Sequence, residues 1–147
     1  MSAVGNRFAI VASRWNELVV SRLVEGARDE LTRYGASHVE VHIVPGSWEI
    51  PVAARALLTR TEPDPLDAII AVGCILQGAT AHAQLLAADV SRALMDLQME
   101  FGKPVSWGIL TPQNESQALE RAGMKMGNKG REAALAAIEM ANFDPRP

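Results

Sequence analysis

The sequence predicts an α/β fold of three layers, a parallel sheet held between two layers of helices. Two observations carry that prediction. Short apolar runs near residues 7–12, 38–44, 67–72 and 104–110 alternate with longer segments of helical period, the pattern of repeated strand–helix–strand units with right-handed crossovers. The runs at 7–12 and 67–72 are continuously apolar, whereas 38–44 alternates. Continuous runs suit strands buried on both faces, and alternation suits a strand at a sheet edge.

Composition sets the outer limits. A chain of 147 residues is expected to form one domain, able to bury roughly 70% of its unfolded surface. The chain is 48% hydrophobic and 21% charged, ordinary values for a globular protein. A formal net charge of −3 argues against a nucleic-acid binder, which needs a basic surface. Cys74 is the one cysteine, so neither an intrachain disulfide nor a cysteine-based zinc site is expected. No charged lead with an apolar core opens the chain, and no apolar run reaches about 18 residues. The expectation is a cytoplasmic protein with no membrane segment.

Residues 1–6 lack periodicity and are expected as a loose arm. Arg7 to Ala12 forms the first strand, and Ser13-Arg14-Trp15-Asn16 turns into a helix running to Tyr34. Asn16 is its candidate N-cap and Gly35 its left-handed stop. In the strand His38 to Val44, Val39, Val41 and Ile43 point one way, Glu40 and His42 the other. After Pro45-Gly46-Ser47-Trp48, a short helix spans about Glu49 to Arg60, with Pro51 tolerated in its first turn. The loop Thr61 to Pro65 leads to the third strand. The helix His82 to Phe101 carries Leu86, Val90, Ala93, Leu94 and Leu97 as a core stripe. Leu85, Ala88, Met95 and Met99 form a second apolar edge, more than a lone domain needs. A fourth strand, Pro104 to Leu110, and helices at about 114–122 and 128–142 complete the chain.

With the alternating strand at an edge, the flavodoxin-like order 2-1-3-4 fits best, in a three-layer αβα arrangement. Ligands of such sheets bind beyond the carboxyl ends of the strands, at the switch point between strands 1 and 3. Four turns meet there. Trp15 and Trp48 stand beside Asn16 and Glu49, either to stack on a flat ligand or to plug a subunit contact. Glu49 is either a first-turn carboxylate or a binder of polyol hydroxyls. Gly78-Ala79-Thr80 precedes a helix without the glycine-lysine pattern of a nucleotide loop. Thr80 there either caps the helix or helps hold a single phosphate on free N–H groups. His82, in the first turn, is either a surface histidine or a group that moves protons. The basic run Arg121, Lys125, Lys129 and Arg131 is either a solvated face or the counter-charge for that phosphate. His38 and His42 read as structural, and no metal triad is visible.

Taken together, Val44-Pro45-Gly46-Ser47-Trp48-Glu49-Ile50-Pro51, Gly73 to His82, Glu120-Arg121-Ala122-Gly123 and Gly127-Asn128-Lys129-Gly130 resemble the lumazine synthase family, in order and spacing, from about Arg7 to Asn142. The resemblance implies an enzyme of riboflavin biosynthesis. It would join 5-amino-6-(D-ribitylamino)uracil to 3,4-dihydroxy-2-butanone 4-phosphate, without metal or other cofactor. By that resemblance Trp15 stacks on the pyrimidine, and Ser47, Trp48 and Glu49 hold the ribityl chain. Ile75 and Leu76 border the heterocycle. Ala79 and Thr80 form the phosphate turn, and Arg121 pairs with the phosphate. Trp107 and Lys129 complete the pocket from an adjacent subunit, and His82 transfers protons. The implied assembly is a homopentamer, built into an icosahedral 60-mer, with riboflavin synthase a candidate partner. The short linker Gly123 to Gly127 resembles shell-forming members. The other class of protein compatible with these motifs is a non-catalytic shell that binds a flavin or a lumazine. Gln77, Ala83-Gln84, Trp15 and Trp48 depart from the commoner family residues: a base, an aromatic and an acid, and two phenylalanines.

Overall fold

Residues 1–78, 81–124 and 127–147 are described by the computed structural model of the chain. In chain order these residues form β1 (Arg7–Ser13), α1 (Glu17–Arg33), β2 (His38–Val44), a single 3-10 turn at Ser47–Glu49, and α2 (Ile50–Leu58). They continue through β3 (Ala68–Cys74), α3 (His82–Phe101), β4 (Val105–Leu110), α4 (Glu115–Glu120) and α5 (Lys129–Ala141). The strands lie β2-β1-β3-β4, all parallel, so the expected flavodoxin-like order is the observed one. In register, Ile10 stands beside Val41 on one side and Ile70 on the other, and Ala71 stands beside Trp107.

Every residue of β3 is buried, the reason its sequence is apolar without alternation. Its successive side chains feed two cores. Ile70 and Val72 join Phe8, Ile10, Leu23, Leu31 and Ile138 beneath α1 and α5. Ile69 and Ala71 join Val11, Ile50, Leu58, Val90 and Leu94 beneath α2 and α3. The α1–α5 contact is close enough to need a glycine: a Cβ on Gly130 would stand 2.0 Å from the Leu23 carbonyl oxygen. Asn128 caps α5 by accepting from the Arg131 N–H at 3.1 Å, and its amide donates to the Arg22 carbonyl at 3.0 Å.

Three local expectations need correction. Residues 1–6 are tied down: Ala3 is fully buried and donates its N–H to the Tyr34 carbonyl, and the Gly5 N–H donates to Ser37 Oγ. A small side chain fits under the helix end, and composition gives no hint of it. Ile43 shares the parity of Val39 and Val41 but is exposed, because the edge strand outruns its cover at that end. Asn16 precedes α1 but its side chain makes no capping bond. Gly35, by contrast, ends α1 as expected, at φ 86°.

The alternation of β2 puts Glu40 between two histidines. Its carboxylate meets His38 Nε2 at 2.6 Å and His42 Nε2 at 2.7 Å, and accepts two bonds from Arg60 at 2.5 and 3.2 Å. The Arg60 guanidinium pulls the Glu40 carboxyl down to about 2, against burial and with help from His42 and His38. Both histidines thus serve the outer edge of the sheet, as read from the sequence.

Candidate active site

The four turns that follow the strands converge at one end of the sheet. Ser13 ends β1, and Asn16 follows in the left-handed region at φ 61°. Among the described residues it is the one non-glycine with positive φ, a conformation Asn tolerates better than most side chains. Its carboxamide Nδ2 crosses to the Cys74 carbonyl at 3.0 Å. That bond ties the β1–α1 turn to the β3–α3 loop and explains why Asn16 does not cap its own helix. Trp15, between them, is 73% exposed.

The β2–α2 turn meets the same indole. A Cβ on Gly46 would lie 3.0 Å from Trp15 Cδ1 and 3.3 Å from Glu49 Oε1. The indole and the carboxylate therefore sit side by side over Gly46. Ser47 is buried at the start of the 3-10 turn. The β3–α3 loop runs alongside the chain leaving β4: Ile75 donates to the Leu110 carbonyl and Gln77 to the Pro112 carbonyl, each at 2.8 Å. His82 is the first residue of α3 and is exposed.

Trp15, Asn16, Ser47, Ile75, Leu76 and His82 face one cleft of about 380 Å³. Trp107, Arg121, Lys129, Thr111 and Gln117 face a second cleft of about 470 Å³, at the end of β4. Trp48 and Glu49 border a third hollow of about 440 Å³, against Asp89 and Ala93 of α3. So Trp15, Ser47, Ile75, Leu76 and His82 line one cleft and Trp107, Arg121 and Lys129 line another, on either side of the paired ends of β3 and β4. Ala79 and Thr80 lie outside the described residues.

Chemically the first cleft joins an exposed indole, a hydroxyl, backbone groups of a strand-end loop and an imidazole. The second is cationic: Arg121 is half exposed and meets Glu132 only at 3.5 Å, which leaves its guanidinium able to take an anion. Burial, with a smaller effect of Glu115, pushes the Cys74 thiol up to about 11. A thiol so protonated is a poor nucleophile, and Cys74 contributes through its carbonyl instead. Among the described residues no group of three or more His, Cys, Asp or Glu is placed to hold a metal ion, and no helix is long and apolar enough to cross a membrane.

Sequence reasoning missed the Asn16 bridge and the indole resting on Gly46. An asparagine at a strand-to-helix turn has two common uses, as a cap or as a left-handed residue. Only the second frees its side chain to reach another loop.

Residues 5–144 match the family model described as 6,7-dimethyl-8-ribityllumazine synthase. A protein of that name from Aquifex aeolicus (strain VF5) is 50% identical over 145 residues, covering 97% of this chain and 92% of the relative. Another, from Halorhodospira halophila (strain DSM 244 / SL1), is 46% identical over 139 residues, covering 93% and 87%. A third, from Chlorobaculum tepidum, is 45% identical over 145 residues, with 97% and 92% covered. With the parallel sheet in the expected order and this identity sustained along nearly the whole of each sequence, the chain belongs to the 6,7-dimethyl-8-ribityllumazine synthase family.

Proposed function

We infer that this chain condenses 5-amino-6-(D-ribitylamino)uracil with 3,4-dihydroxy-2-butanone 4-phosphate, giving 6,7-dimethyl-8-ribityllumazine, phosphate and water. The observation that carries the reading is the first cleft. It places an indole for a flat heterocycle, a buried hydroxyl and an imidazole at the switch point of the sheet.

The proposed roles are those that the family resemblance implies. The Trp15 indole stacks on the pyrimidine, and Ile75 and Leu76 border its edge with main-chain groups. Ser47, Trp48 and Glu49 engage the ribityl hydroxyls; Glu49, already beside Trp15, serves the junction of ring and chain. Ala79 and Thr80, which come shortly before α3 in the sequence, receive the phosphate, with Arg121 as its counter-charge. The pyrimidine supplies its own amine, which attacks the ketone carbon; loss of water gives an imine. Abstraction of a proton next to the imine expels phosphate, and closure of the second ring loses water again. His82, one turn from the phosphate, carries these protons. Holding two substrates in register supplies much of the remaining acceleration.

The separation of the two clefts supports a site shared between subunits. Trp107, Arg121 and Lys129 of one subunit close the Trp15–His82 cleft of its neighbour in a homopentamer. The outward apolar edge of α3, where Leu85, Met95 and Met99 are exposed, supplies the surface around the five-fold axis. Pentamers assemble into an icosahedral 60-mer in the cytoplasm, with riboflavin synthase as a protein partner.

The test is direct: the two substrates are mixed with the purified protein and lumazine formation is followed by absorbance. Turnover in the wild type and its loss in His82→Ala support the reading. Tight binding of the pyrimidine with no product sinks it in favour of a non-catalytic shell.

A further inference from the structure

Ser13 is out of place for a core residue. It is 2% exposed at the end of β1, and among the described residues its Oγ has no hydrogen-bond partner. A buried hydroxyl left unpaired gives up its bonds to water with no replacement, so an alanine there would fold better. Two further details lie at the same spot. Ser47, also buried, brings its Oγ within 2.9 Å of the point where a Gly73 Cβ would stand, and Ser13 Oγ lies 3.1 Å from that point. Gly73 sits in a fully buried strand where β-branched residues are favoured. No positive φ is recorded for it, so what it provides is space. One glycine and two hydroxyls thus make a polar pocket floor inside an otherwise apolar layer of Val11, Ala71, Ile75 and Ile109.

We propose that Ser13 is a positioning residue for polyol recognition: its hydroxyl pairs with that of Ser47, across the gap left by Gly73, when Ser47 engages a ligand hydroxyl. Ser47 borders the cleft and Ser13 lies behind it. With a ligand hydroxyl on its open side, the Ser47 hydroxyl both donates and accepts, and Ser13 supplies the second partner. The pair then selects for a hydroxylated chain over an apolar one, because an apolar chain offers no hydroxyl to turn Ser47 toward Ser13 and leaves the Ser13 hydroxyl unpaired. The inference rests on the proposed placing of the ribityl chain at Ser47, and it makes the free protein less stable than it need be at a functional site.

The experiment compares wild type with Ser13→Ala using two pyrimidines, one bearing the ribityl chain and one bearing a methyl group in its place. Binding is followed by quenching of tryptophan fluorescence, so the measurement does not depend on turnover. Wild type should prefer the ribityl compound, and Ser13→Ala should lose about 3- to 10-fold of that preference, as expected for one neutral hydrogen bond. Affinity for the methyl compound should stay the same. Thermal unfolding of Ser13→Ala should occur at the same or a higher temperature, a result opposite to that of losing a structural bond. A lower Tm, an unchanged preference, or no preference in the wild type would each overturn the proposal. Failure of the enzyme reading would appear separately, as binding of the ribityl compound with no lumazine formed.

Discussion

In the proposed reaction, Arg121 and His82 separate binding from chemistry at the level of single side chains. Arg121→Ala removes a charge-assisted contact, so KM for the butanone phosphate should rise about 10- to 100-fold. KM for the pyrimidine should hardly change. Steady-state kinetics with each substrate varied in turn reads the difference, and equal losses for both would contradict the phosphate role. His82→Ala should instead lower kcat by about 10²- to 10⁴-fold at little change in either KM. The turn residues stand out in the sequence because their types are unusual there: an indole, a carboxylate and an imidazole at strand ends. What was not legible is which of two habits a residue follows. Asn16 at a helix start reads as a cap, and only the approach of the Cys74 carbonyl, 58 residues on, diverts it.

Strands and helices were read correctly where the apolar pattern is dictated by burial. β3 is buried throughout and its sequence says so; β2 alternates and lies at the edge. The failures came where an element meets something remote, such as Ala3 under Tyr34 or Ile43 beyond its cover. The α1–α5 contact offers a test at this scale. Gly130→Ala places a methyl against the Leu23 carbonyl, at 2.0 Å, with backbone on both sides to resist. Overpacking of this kind costs about 1–3 kcal/mol or more, so denaturant midpoints should fall clearly, while the cleft residues keep their relation to one another. The edge strand gives a second test. The folded Glu40 carboxyl, at about 2, lies below its ordinary value of 4.5. Its stabilising effect is therefore complete above pH about 4.5 and is lost as pH falls toward 2. Acid unfolding followed by circular dichroism should show a shallower decline over that interval in Glu40→Gln, from a lower starting stability.

For the whole molecule, the parallel sheet brings the strand-end turns to one end, and the described residues there line two clefts, which the proposed function reads as the two halves of a shared site. The family resemblance implies that Trp107 and Lys129 complete the pocket of an adjacent subunit, and these two line a different cleft from His82. Nothing in the periodicity of one chain could have revealed that division into two clefts, since it depends on how elements far apart in sequence are placed and not on a pattern within one. A charge on the apolar edge of α3 should break the proposed assembly: Met95→Asp, at an exposed position, is expected by light scattering to give smaller species than the wild type, with loss of turnover although both clefts are intact.

The two-cleft arrangement also makes a genetic statement. In the proposed shared site, a subunit lacking the imidazole and a subunit lacking the Arg121 guanidinium are each defective in a different half, so two impaired alleles should restore one another's activity when expressed together at limiting butanone phosphate. Random mixing in equal amounts would pair two sound halves at about one interface in four.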